Sequence, residues 1–308
     1  MVYALIPAYN GKHEVLALLA CIERQTFRDI AIVLVDDGST DGTEEAVVRK
    51  FPQVTLLKGN GHLWWTGANA QGIRRILETS RSGDYVLLMN NDLIVKDDFL
   101  GEMVACSERM HRAIVGATTV DLYNPNRLLA GLYLDKRLRV RETTDPQVIA
   151  STECEPNVDV LPGRGALIPI EVFEKIGNFN EERLPHYGGD YEFTIRARLA
   201  GFQLVTSHRA RVYAKLNITG LHIPERERLA FRECIDLLFA RKSTANLHYY
   251  LTYVWMCSER GRKLRNVVAH GVGLIIDIFS KTPWGYPIAA AVRFSLKSVR
   301  QVKALCGS

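Results

Sequence analysis

The stretch IAIVLVDDGSTDGT, residues 30–43, is an apolar run followed at once by a polar turn that contains two glycines. A short continuous apolar run of this kind is typical of a strand buried on both faces. In the turn, Ser39, Thr40 or Asp41 can cap a following helix. The stretch therefore predicts a strand, a turn and a helix that begins near residue 44.

The segments on either side repeat this alternation of apolar runs and helical spacing. The pattern predicts strands at residues 2–6, 54–57, 85–89, 114–117, 166–170 and 203–206, and helices at 15–22, 44–50 and 191–200. This order predicts an α/β fold with a mainly parallel central sheet and helices on both faces. In such sheets, ligands bind beyond the carboxyl ends of the strands.

Three polar loops follow predicted strands and are expected to meet in one crevice: PAYN (7–10), DDGSTDGT (36–43) and NND (90–92). The adjacent carboxylates of Asp36 and Asp37 repel each other unless a group donates to them. They belong either to a solvated loop or to a site where a nucleobase edge or ribose hydroxyl donates. The segment is not a phosphate cradle, because glycine-rich phosphate-binding patterns are absent and carboxylates repel phosphate.

Two further segments contain a carboxylate that can be interpreted either as part of a site or as part of an ordinary turn or helix start. The oxygens of Asn90, Asn91 and Asp92 suit a hard divalent cation such as Mg²⁺ or Mn²⁺, or they form an ordinary polar turn. In PHYGGDYEF (185–193), Asp190 precedes a helical pattern, so it is either a helix N-cap or a carboxylate that points into the site.

The composition indicates a soluble globular protein with one large domain plus an extension, or with two domains. The 308 residues are 47% apolar and 24% charged. The cysteines are far apart and form no C-x-x-C pair, so we expect buried thiols in a reducing, cytosolic compartment. Because the first residues already look like a strand, no secretory signal is expected. The cysteines are Cys21, Cys106, Cys154, Cys234, Cys257 and Cys306.

The carboxyl-terminal part of the chain is strongly basic. Residues 241–308 contain eleven Lys or Arg against two acids, and this shift predicts a boundary near residue 240. The apolar run 267–279 is shorter than the ~20 residues that a spanning helix needs. From Ile288 onward, apolar and basic residues alternate as in an amphipathic helix on an anionic membrane surface. A membrane is favoured over nucleic acid, because the segment has no aromatic and basic platform.

Six motifs in this order resemble the family 2 glycosyltransferases, which have the nucleotide-diphospho-sugar transferase fold called GT-A. The resemblance covers roughly residues 2–215, and GHLWWTGANAQGI (61–73) is similar to a rhamnosyltransferase-like branch of polysaccharide-assembly enzymes. The motifs are PAYN (7–10), VDDGSTDGT (35–43), GANAQGI (67–73), LLMNNDLIV (87–95), GRGALIP (163–169) and YGGDYEFTIRARLAGF (187–202).

The resemblance implies a role for each candidate residue. Asp190 would be the general base, Asp92 would ligate Mg²⁺ or Mn²⁺, and Trp64, Trp65, Gly165 and Tyr187 would form a wall for sugar or acceptor. For both tryptophans, packing in the core is the alternative. The implied nucleotide and donor site comprises Pro7, Tyr9, Asn10, Asp36, Asp37, Gly38, Asn69, Asn90, Asn91 and Arg164.

The sequence departs from the family pattern at two positions. Asn90 stands where the metal motif often has its first acid, which leaves a single carboxylate for the ion. Ala214 stands where many relatives have a histidine near the diphosphate. His208 and His222 are candidates to replace that histidine, although a structural or surface role is favoured for both.

The expected protein has a GT-A domain at residues 1–240 and a basic helical extension at 241–308. We expect an inverting glycosyltransferase that moves a sugar from a UDP- or dTDP-sugar to a glycan or lipid-linked glycan. It would lie peripherally on the inner face of the cytoplasmic membrane. The segment NLHYYLTY (246–253) either resembles the tyrosine-rich segments that lead into lipid-proximal helices in relatives or packs as an ordinary helix, with a homodimer interface as one option. The alternatives are a sugar nucleotidyltransferase of related fold and a non-catalytic membrane-associated partner.

Overall fold

The computed structural model describes residues 1–135, 138, 140–216 and 229–282. The chain divides into two compact units, residues 1–218 and 219–308. The change in composition near residue 240 lies inside the second unit, and a domain boundary at that residue stays a prediction. His222 and the amphipathic segment that begins at Ile288 lie outside the described residues.

The first unit is an α/β structure built on a large sheet. Its strands are β1 (Val2–Ala8), β2 (Ile30–Asp36), β3 (Thr55–Lys58), β4 (Tyr85–Leu88), β5 (Ile94–Val95), β6 (Ile114–Asp121), β7 (Leu128–Leu129), β8 (Leu132–Leu134), β9 (Val140–Glu142), β10 (Cys154–Pro156), β11 (Ala166–Pro169) and β12 (Leu204–Ala214). Its helices are α1 (Lys12–Glu23), α2 (Thr43–Lys50), α3 (Trp64–Leu77), α4 (Phe99–Arg109), α5 (Pro146–Ser151), α6 (Ile170–Ile176) and α7 (Gly189–Leu199).

The sheet runs in the order β10-β12-β6-β11-β4-β1-β2-β3, with β5 beside β12 and β7 beside β6. Strands β4, β1, β2 and β3 are parallel to one another, and β6 is parallel to β12. Strand β11 runs antiparallel between β4 and β6, and β8 and β9 form a separate hairpin. The fold is therefore the expected α/β sheet, with antiparallel strands added to a parallel centre.

Two apolar cores cover the two faces of this sheet, because side chains alternate along each strand. In β1, Val2, Ala4 and Ile6 face the core with α1, α2 and α4, and Tyr3 and Leu5 face the core with α3, α6 and α7. Helices thus pack on both faces, which confirms the predicted layered arrangement.

Strand β11 determines where the chain returns to the sheet. Its first residue, Ala166, pairs with Leu88 near the carboxyl end of β4 and with Gly116 in β6. Since β11 is antiparallel to both neighbours, the residues just before it lie at the edge where β4 ends. The same edge receives the carboxyl end of β6 at Asp121.

The described part of the second unit is helical. Its elements are α8 (Phe231–Phe239), α9 (Leu247–Cys257), a short 3-10 helix (Arg260–Arg262) and α10 (Lys263–Phe279). The Asn246 side chain caps α9 by accepting from the Tyr249 amide at 3.1 Å. A small apolar core joins Cys234 and Leu237 of α8 to Leu274 and Ile278 of α10.

Candidate active site

Three polar loops leave the sheet side by side. Ala8 pairs with Asp36 at the ends of β1 and β2, and Leu5 pairs with Leu88 at the end of β4. The loops PAYN, DDGSTDGT and NND therefore begin at one edge of the sheet. This arrangement is the geometry in which α/β proteins bind ligands.

The two adjacent acids of the DDGSTDGT loop find their donors inside the protein. Asp36 Oδ1 accepts from the Ser39 amide at 2.9 Å and from the Ser39 hydroxyl. Asp37 Oδ1 accepts from the Gly61 amide at 2.9 Å, and Oδ2 accepts from the Trp64 amide at 3.0 Å. Hydrogen bonds within the protein therefore hold this loop, which we call the platform, and nucleotide binding by its carboxylates stays a prediction.

The loop after β1 is tied to the same platform. The Asn10 amide donates to Ser39 Oγ at 2.9 Å, and Asn10 Oδ1 accepts from the Thr40 amide at 2.8 Å. Asp41 accepts from the amide and hydroxyl of Thr43 at the start of α2. Asp41 is thus the acid that serves the first turn of this helix, and the Thr43 hydroxyl holds the pKa of Asp41 below its ordinary value.

The dipeptide Trp64–Trp65 connects the platform to the other loops. Trp64 has a φ of 57°, a left-handed conformation that is rare for a large side chain. The hydrogen bond from the Trp64 amide to Asp37 holds it in this conformation. The Trp65 indole Nε1 donates to Asn90 Oδ1 at 2.9 Å. The ring of Trp65 also lies against Gly163, where an added Cβ would approach Cζ2 to 2.3 Å.

Asp190 accepts a hydrogen bond from the backbone of Gly163. Its Oδ2 accepts from the Gly163 amide at 2.9 Å, and its Oδ1 accepts from the Tyr191 amide at 2.9 Å. Helix α7 begins with Gly188 as its N-cap, so Asp190 is a first-turn residue and not the cap. Burial raises the pKa of Asp190. The hydrogen bonds from the Gly163 and Tyr191 amides and the charge of Arg164 act in the opposite direction and lower it.

Asp92 completes the group of carboxylates at this edge. It is half-buried, and burial raises the pKa of Asp92 while the charges of Lys215 and Arg164 lower it. The charge of Arg164 is close enough to both Asp92 and Asp190 to lower the pKa of each. Asp37, Asp92 and Asp190 are thus connected through Trp64–Trp65, Gly163 and Arg164 to one edge of the sheet.

Several buried polar atoms around this edge have no hydrogen-bond partner among the described residues. They are Thr66 Oγ1, Asn69 Oδ1, Arg164 Nε and Tyr187 OH. Buried polar groups are normally paired, so each unpaired atom needs an explanation such as a ligand. Thr66 and Tyr187 belong to segments that touch, since the Thr66 amide donates to the Pro185 carbonyl at 3.1 Å.

Gly165 has a structural reason to be glycine. Its φ is 80°, and an added Cβ would lie 2.9 Å from Val212 and 3.0 Å from Ala117, both of which belong to the core. These contacts explain the residue by backbone and packing alone. A place for Gly165 in a sugar or acceptor wall stays a prediction.

The residues present fit a divalent cation that shares its ligands with a substrate. In the described ranges no three His, Cys, Asp or Glu side chains form a metal cluster. Mg²⁺ commonly uses one or two protein carboxylates together with water and substrate phosphates. The half-buried carboxylate of Asp92 is a suitable single ligand of that kind, with the side-chain oxygen of Asn91 in the same loop.

The histidine candidate His208 is a structural residue. It is 2% exposed, its Nδ1 lies 3.0 Å from Thr152 Oγ1, and its Nε2 lies 3.4 Å from Glu155. It lines a groove of about 690 Å³ between α4, α5 and β12 that contains none of the predicted site residues. Ala214 ends β12 at the site edge, where the nearby cation is Lys215.

Three residues that contribute to this site were not predicted from the sequence in these roles. Lys215 acts on Asp92, the Gly163 amide holds Asp190, and Trp65 binds Asn90. Lys215 had a signal, because it follows the position where the family histidine is expected. The other two depend on contacts between distant segments and carry no local signature.

The fold is that of the GT-A glycosyltransferases. The mannosyltransferase PcManGT from Pyrobaculum calidifontis, solved with GDP-Man and Mn²⁺, superposes with a TM-score of 0.57 at 17% identity, over 96% of this chain and 75% of that one. At this identity the likeness concerns the fold alone.

The chain belongs to glycosyltransferase family 2, whose family model "Glycosyl transferase family 2" matches residues 3–177. The chain is 30% identical over 106 residues to the amylovoran biosynthesis glycosyltransferase AmsB of Erwinia amylovora, which is 34% of this chain and 35% of that protein. It is 29% identical over 222 residues to an N-acetylglucosaminyl-diphospho-decaprenol L-rhamnosyltransferase of Mycobacterium tuberculosis, which is 66% of this chain and 72% of that protein. The chain thus spans about a third of the length of AmsB.

Proposed function

We propose that the protein is an inverting glycosyltransferase of surface polysaccharide assembly. It transfers a sugar from a UDP- or dTDP-sugar to a glycan or lipid-linked glycan. The observation that carries this proposal is the linkage of Asp37, Asn90 and Asp190 at one sheet edge through Trp64–Trp65 and Gly163, with Asp92 in the same loop as Asn90. The polysaccharide and lipid-linked acceptor follow the described activities of AmsB and of the rhamnosyltransferase.

The donor nucleotide lies on the platform formed by the first two loops. The backbone of the DDGSTDGT loop is fixed by its own hydrogen bonds, so the remaining carboxylate lone pairs of Asp36 and Asp37 receive the base and the ribose hydroxyls. Tyr9 is 56% exposed beside this loop and offers its ring to the base. This arrangement holds the donor before the reaction.

Asp190 acts as the general base. It takes the proton of the acceptor hydroxyl while that oxygen bonds to the anomeric carbon, and the bond from this carbon to the diphosphate oxygen breaks. One displacement inverts the anomeric centre, and the nucleoside diphosphate leaves with the electron pair. The raised pKa of Asp190 makes the carboxylate a stronger proton acceptor than an ordinary aspartate.

Positive charge on the opposite side of the anomeric carbon stabilises the departing diphosphate. Arg164 and Lys215, whose charges both act on Asp92, supply part of it from the protein. Asp92 would hold Mg²⁺ or Mn²⁺, which as a bound Lewis acid neutralises charge on the leaving group. The Nε of Arg164 is buried and has no partner among the described residues, so it is a donor that a phosphate oxygen can satisfy.

The acceptor places the enzyme at a membrane surface. In the described ranges, no helix has the length and apolar content to cross a bilayer. We propose peripheral contact with the inner face of the cytoplasmic membrane, in which the basic residues from 285 onward take part, and a homodimer through α9. The membrane contact follows from the basic sequence pattern and from the lipid-linked acceptor, and the homodimer follows from the apolar and aromatic segment NLHYYLTY (246–253).

The variant Asp190→Asn tests the catalytic assignment. We expect binding of the sugar nucleotide to be kept and turnover to fall by at least ~10²-fold, because a positioned general base contributes ~10²–10⁴. Isothermal titration measures binding, and release of nucleoside diphosphate from a panel of sugar nucleotides measures turnover. The panel also identifies the donor.

Asp97→Asn is the matched control, since Asp97 is an exposed aspartate paired with Arg24 far from this edge. It should leave both binding and turnover unchanged. Near-normal turnover of Asp190→Asn would remove Asp190 as the base. Pyrophosphate release from a nucleoside triphosphate and a sugar phosphate would instead assign the protein as a nucleotidyltransferase.

A further inference from the structure

The described part of the second unit exposes an unusual amount of apolar surface. Residues 229–282 are about a fifth of the described residues, yet they contain half of the large apolar side chains that are exposed. Soluble monomeric proteins rarely expose contiguous apolar surface unless it contacts a partner or a membrane. The exposed apolar surface of this part of the chain therefore indicates a contact with a partner or a membrane.

The exposed residues of α10 form one stripe. They follow each other at steps of three or four, and at 3.6 residues per turn their directions fall within about 80° of arc. We call this set the α10 stripe, and it consists of Leu264, Val268, Val272, Ile275 and Phe279. The helix is 17 residues long, which gives a continuous apolar face of roughly 25 Å.

Helix α8 has the same character. Phe231, Ile235 and Phe239 recur every four residues and are exposed, while Cys234 and Leu237 pack against α10. Each helix thus buries one side against the other and leaves a different apolar side in solvent. The exposed sides are not the ones that hold the unit together.

Charge selects the occupant of these apolar faces. Residues 229–282 contain eight Lys or Arg and four acids, and Arg260, Arg262, Lys263 and Arg265 lie where α10 begins. Lys263 Nζ stands 5.3 Å from the ring centre of Trp255, which is 46% exposed. Exposed apolar residues with flanking Trp, Lys and Arg are the features of a helix that lies in the plane of an anionic bilayer surface.

The net positive charge of residues 229–282 also disfavours two other occupants of these faces, a second copy of the chain and residues 283–308. A second copy docked on the exposed faces of α8 and α10 would bring an equal excess of positive charge against them, whereas α9, the helix of the proposed homodimer, carries no Lys, Arg, Asp or Glu. Residues 283–308 of the chain contain four Lys or Arg and no acid, so they also repel it. An anionic lipid surface is the partner whose charge complements the unit.

We infer that the α10 stripe and the exposed side of α8 dock on a membrane surface that contains anionic phospholipid. The inference concerns binding and does not require that the proposed transfer reaction be correct. It assigns the contact to described helices, in addition to the basic segment from residue 285 onward. The bound helix lies in the interface and does not cross the bilayer.

Flotation of the full chain with lipid vesicles tests this inference. The vesicles contain phosphatidylcholine alone or with 30 mol% phosphatidylglycerol, and hold neither donor nor glycan acceptor. We expect the wild type to float with the anionic vesicles and to be released by high salt. The triple variant Leu264→Gln/Val268→Gln/Val272→Gln should bind at least ~10-fold more weakly, because three large apolar side chains no longer enter the lipid.

The matched control is Val48→Gln/Leu77→Gln/Leu199→Gln, three exposed apolar residues on helices of the first unit. It should float like the wild type, as should Asp190→Asn, which separates this test from the proposed reaction. Circular dichroism should show both triple variants folded, since Gln is a good helix former. Equal flotation of wild type and stripe variant would overturn the inference. So would a wild-type dimer that the stripe variant converts to a monomer while its flotation is unchanged.

Discussion

Gly163 is the residue at which the smallest change should disturb the site most. A Cβ added there would lie 2.3 Å from Trp65 Cζ2 and 2.5 Å from Cη2, whereas carbon atoms normally pack at ~3.5–4.0 Å. To restore a normal packing distance, the Trp65 ring or the backbone of residue 163 must move by roughly 1 Å. The Trp65 ring is held by its bond to Asn90 and by an edge contact with Phe179, so the backbone of residue 163 must also move.

We therefore expect Gly163→Ala to lower stability and activity together. Overpacking of this kind costs about 1–3 kcal/mol in the free energy of unfolding. Because the Gly163 amide holds the Asp190 carboxylate, a displacement near 1 Å should lower kcat by about 10²-fold. Urea unfolding measures the first effect, and nucleoside diphosphate release measures the second.

A double-mutant cycle with Trp65→Phe makes the reasoning refutable. Phenylalanine lacks the two colliding atoms but also loses the bond to Asn90, which costs about 0.5–1.5 kcal/mol. The double variant should be more stable than the sum of the single effects by about 1 kcal/mol. Gly101→Ala is the control, since no atom lies within 4 Å of its added Cβ, and it should be neutral or stabilising. Additive effects, or a fully active Gly163→Ala, would refute the proposed contact.

Three further outcomes are expected. Since burial raises the pKa of Asp190, its carboxylate is lost as pH falls through this raised value, so the acid limb of kcat/KM should lie above the ordinary aspartate value of ~3.9; a pH profile with a limb at or below that value contradicts the assignment. Chelation of divalent cations should lower turnover in a way that added Mn²⁺ reverses in the wild type but not in Asp92→Ala, as a discontinuous release assay would show. Leu87→Ala should cost about 2–5 kcal/mol in urea unfolding, because Leu87 is 0% exposed in the centre of β4, and a loss below 1 kcal/mol would argue against the described core.

The sequence predicted the layered sheet well, because its buried strands are short apolar runs bounded by turn residues. It did not predict α3, since GANAQGI is rich in small residues and shows little apolar periodicity. The structure gives the reason: Gly72 lies so close to Leu5 that an added Cβ would approach Cδ1 to 2.2 Å. Small residues let this helix lie directly on the sheet.

The candidate site was predictable only where a motif is local. The adjacent acids Asp36 and Asp37 are visible in the sequence, but the donors to Asp37 are the amides of Gly61 and Trp64, more than twenty residues further along the chain. The hydrogen bonds from Trp65 to Asn90 and from Gly163 to Asp190 likewise join residues that are 25 and 27 positions apart. Such contacts are set by the order of strands in the sheet, which a single sequence does not determine.

The antiparallel placement of β11 has an evolutionary consequence. The chain reaches the site edge at Asp121 and re-enters the sheet from that edge at Ala166, so the intervening excursion starts and finishes beside the reacting groups. Insertions or deletions within it reshape the walls above the carboxylates and leave the pairing of β11 with β4 and β6 untouched. If the proposed transfer reaction takes place at this edge, a lineage of such proteins would acquire new acceptors by remodelling one loop region, while Asp37, Asp92 and Asp190 lie outside it.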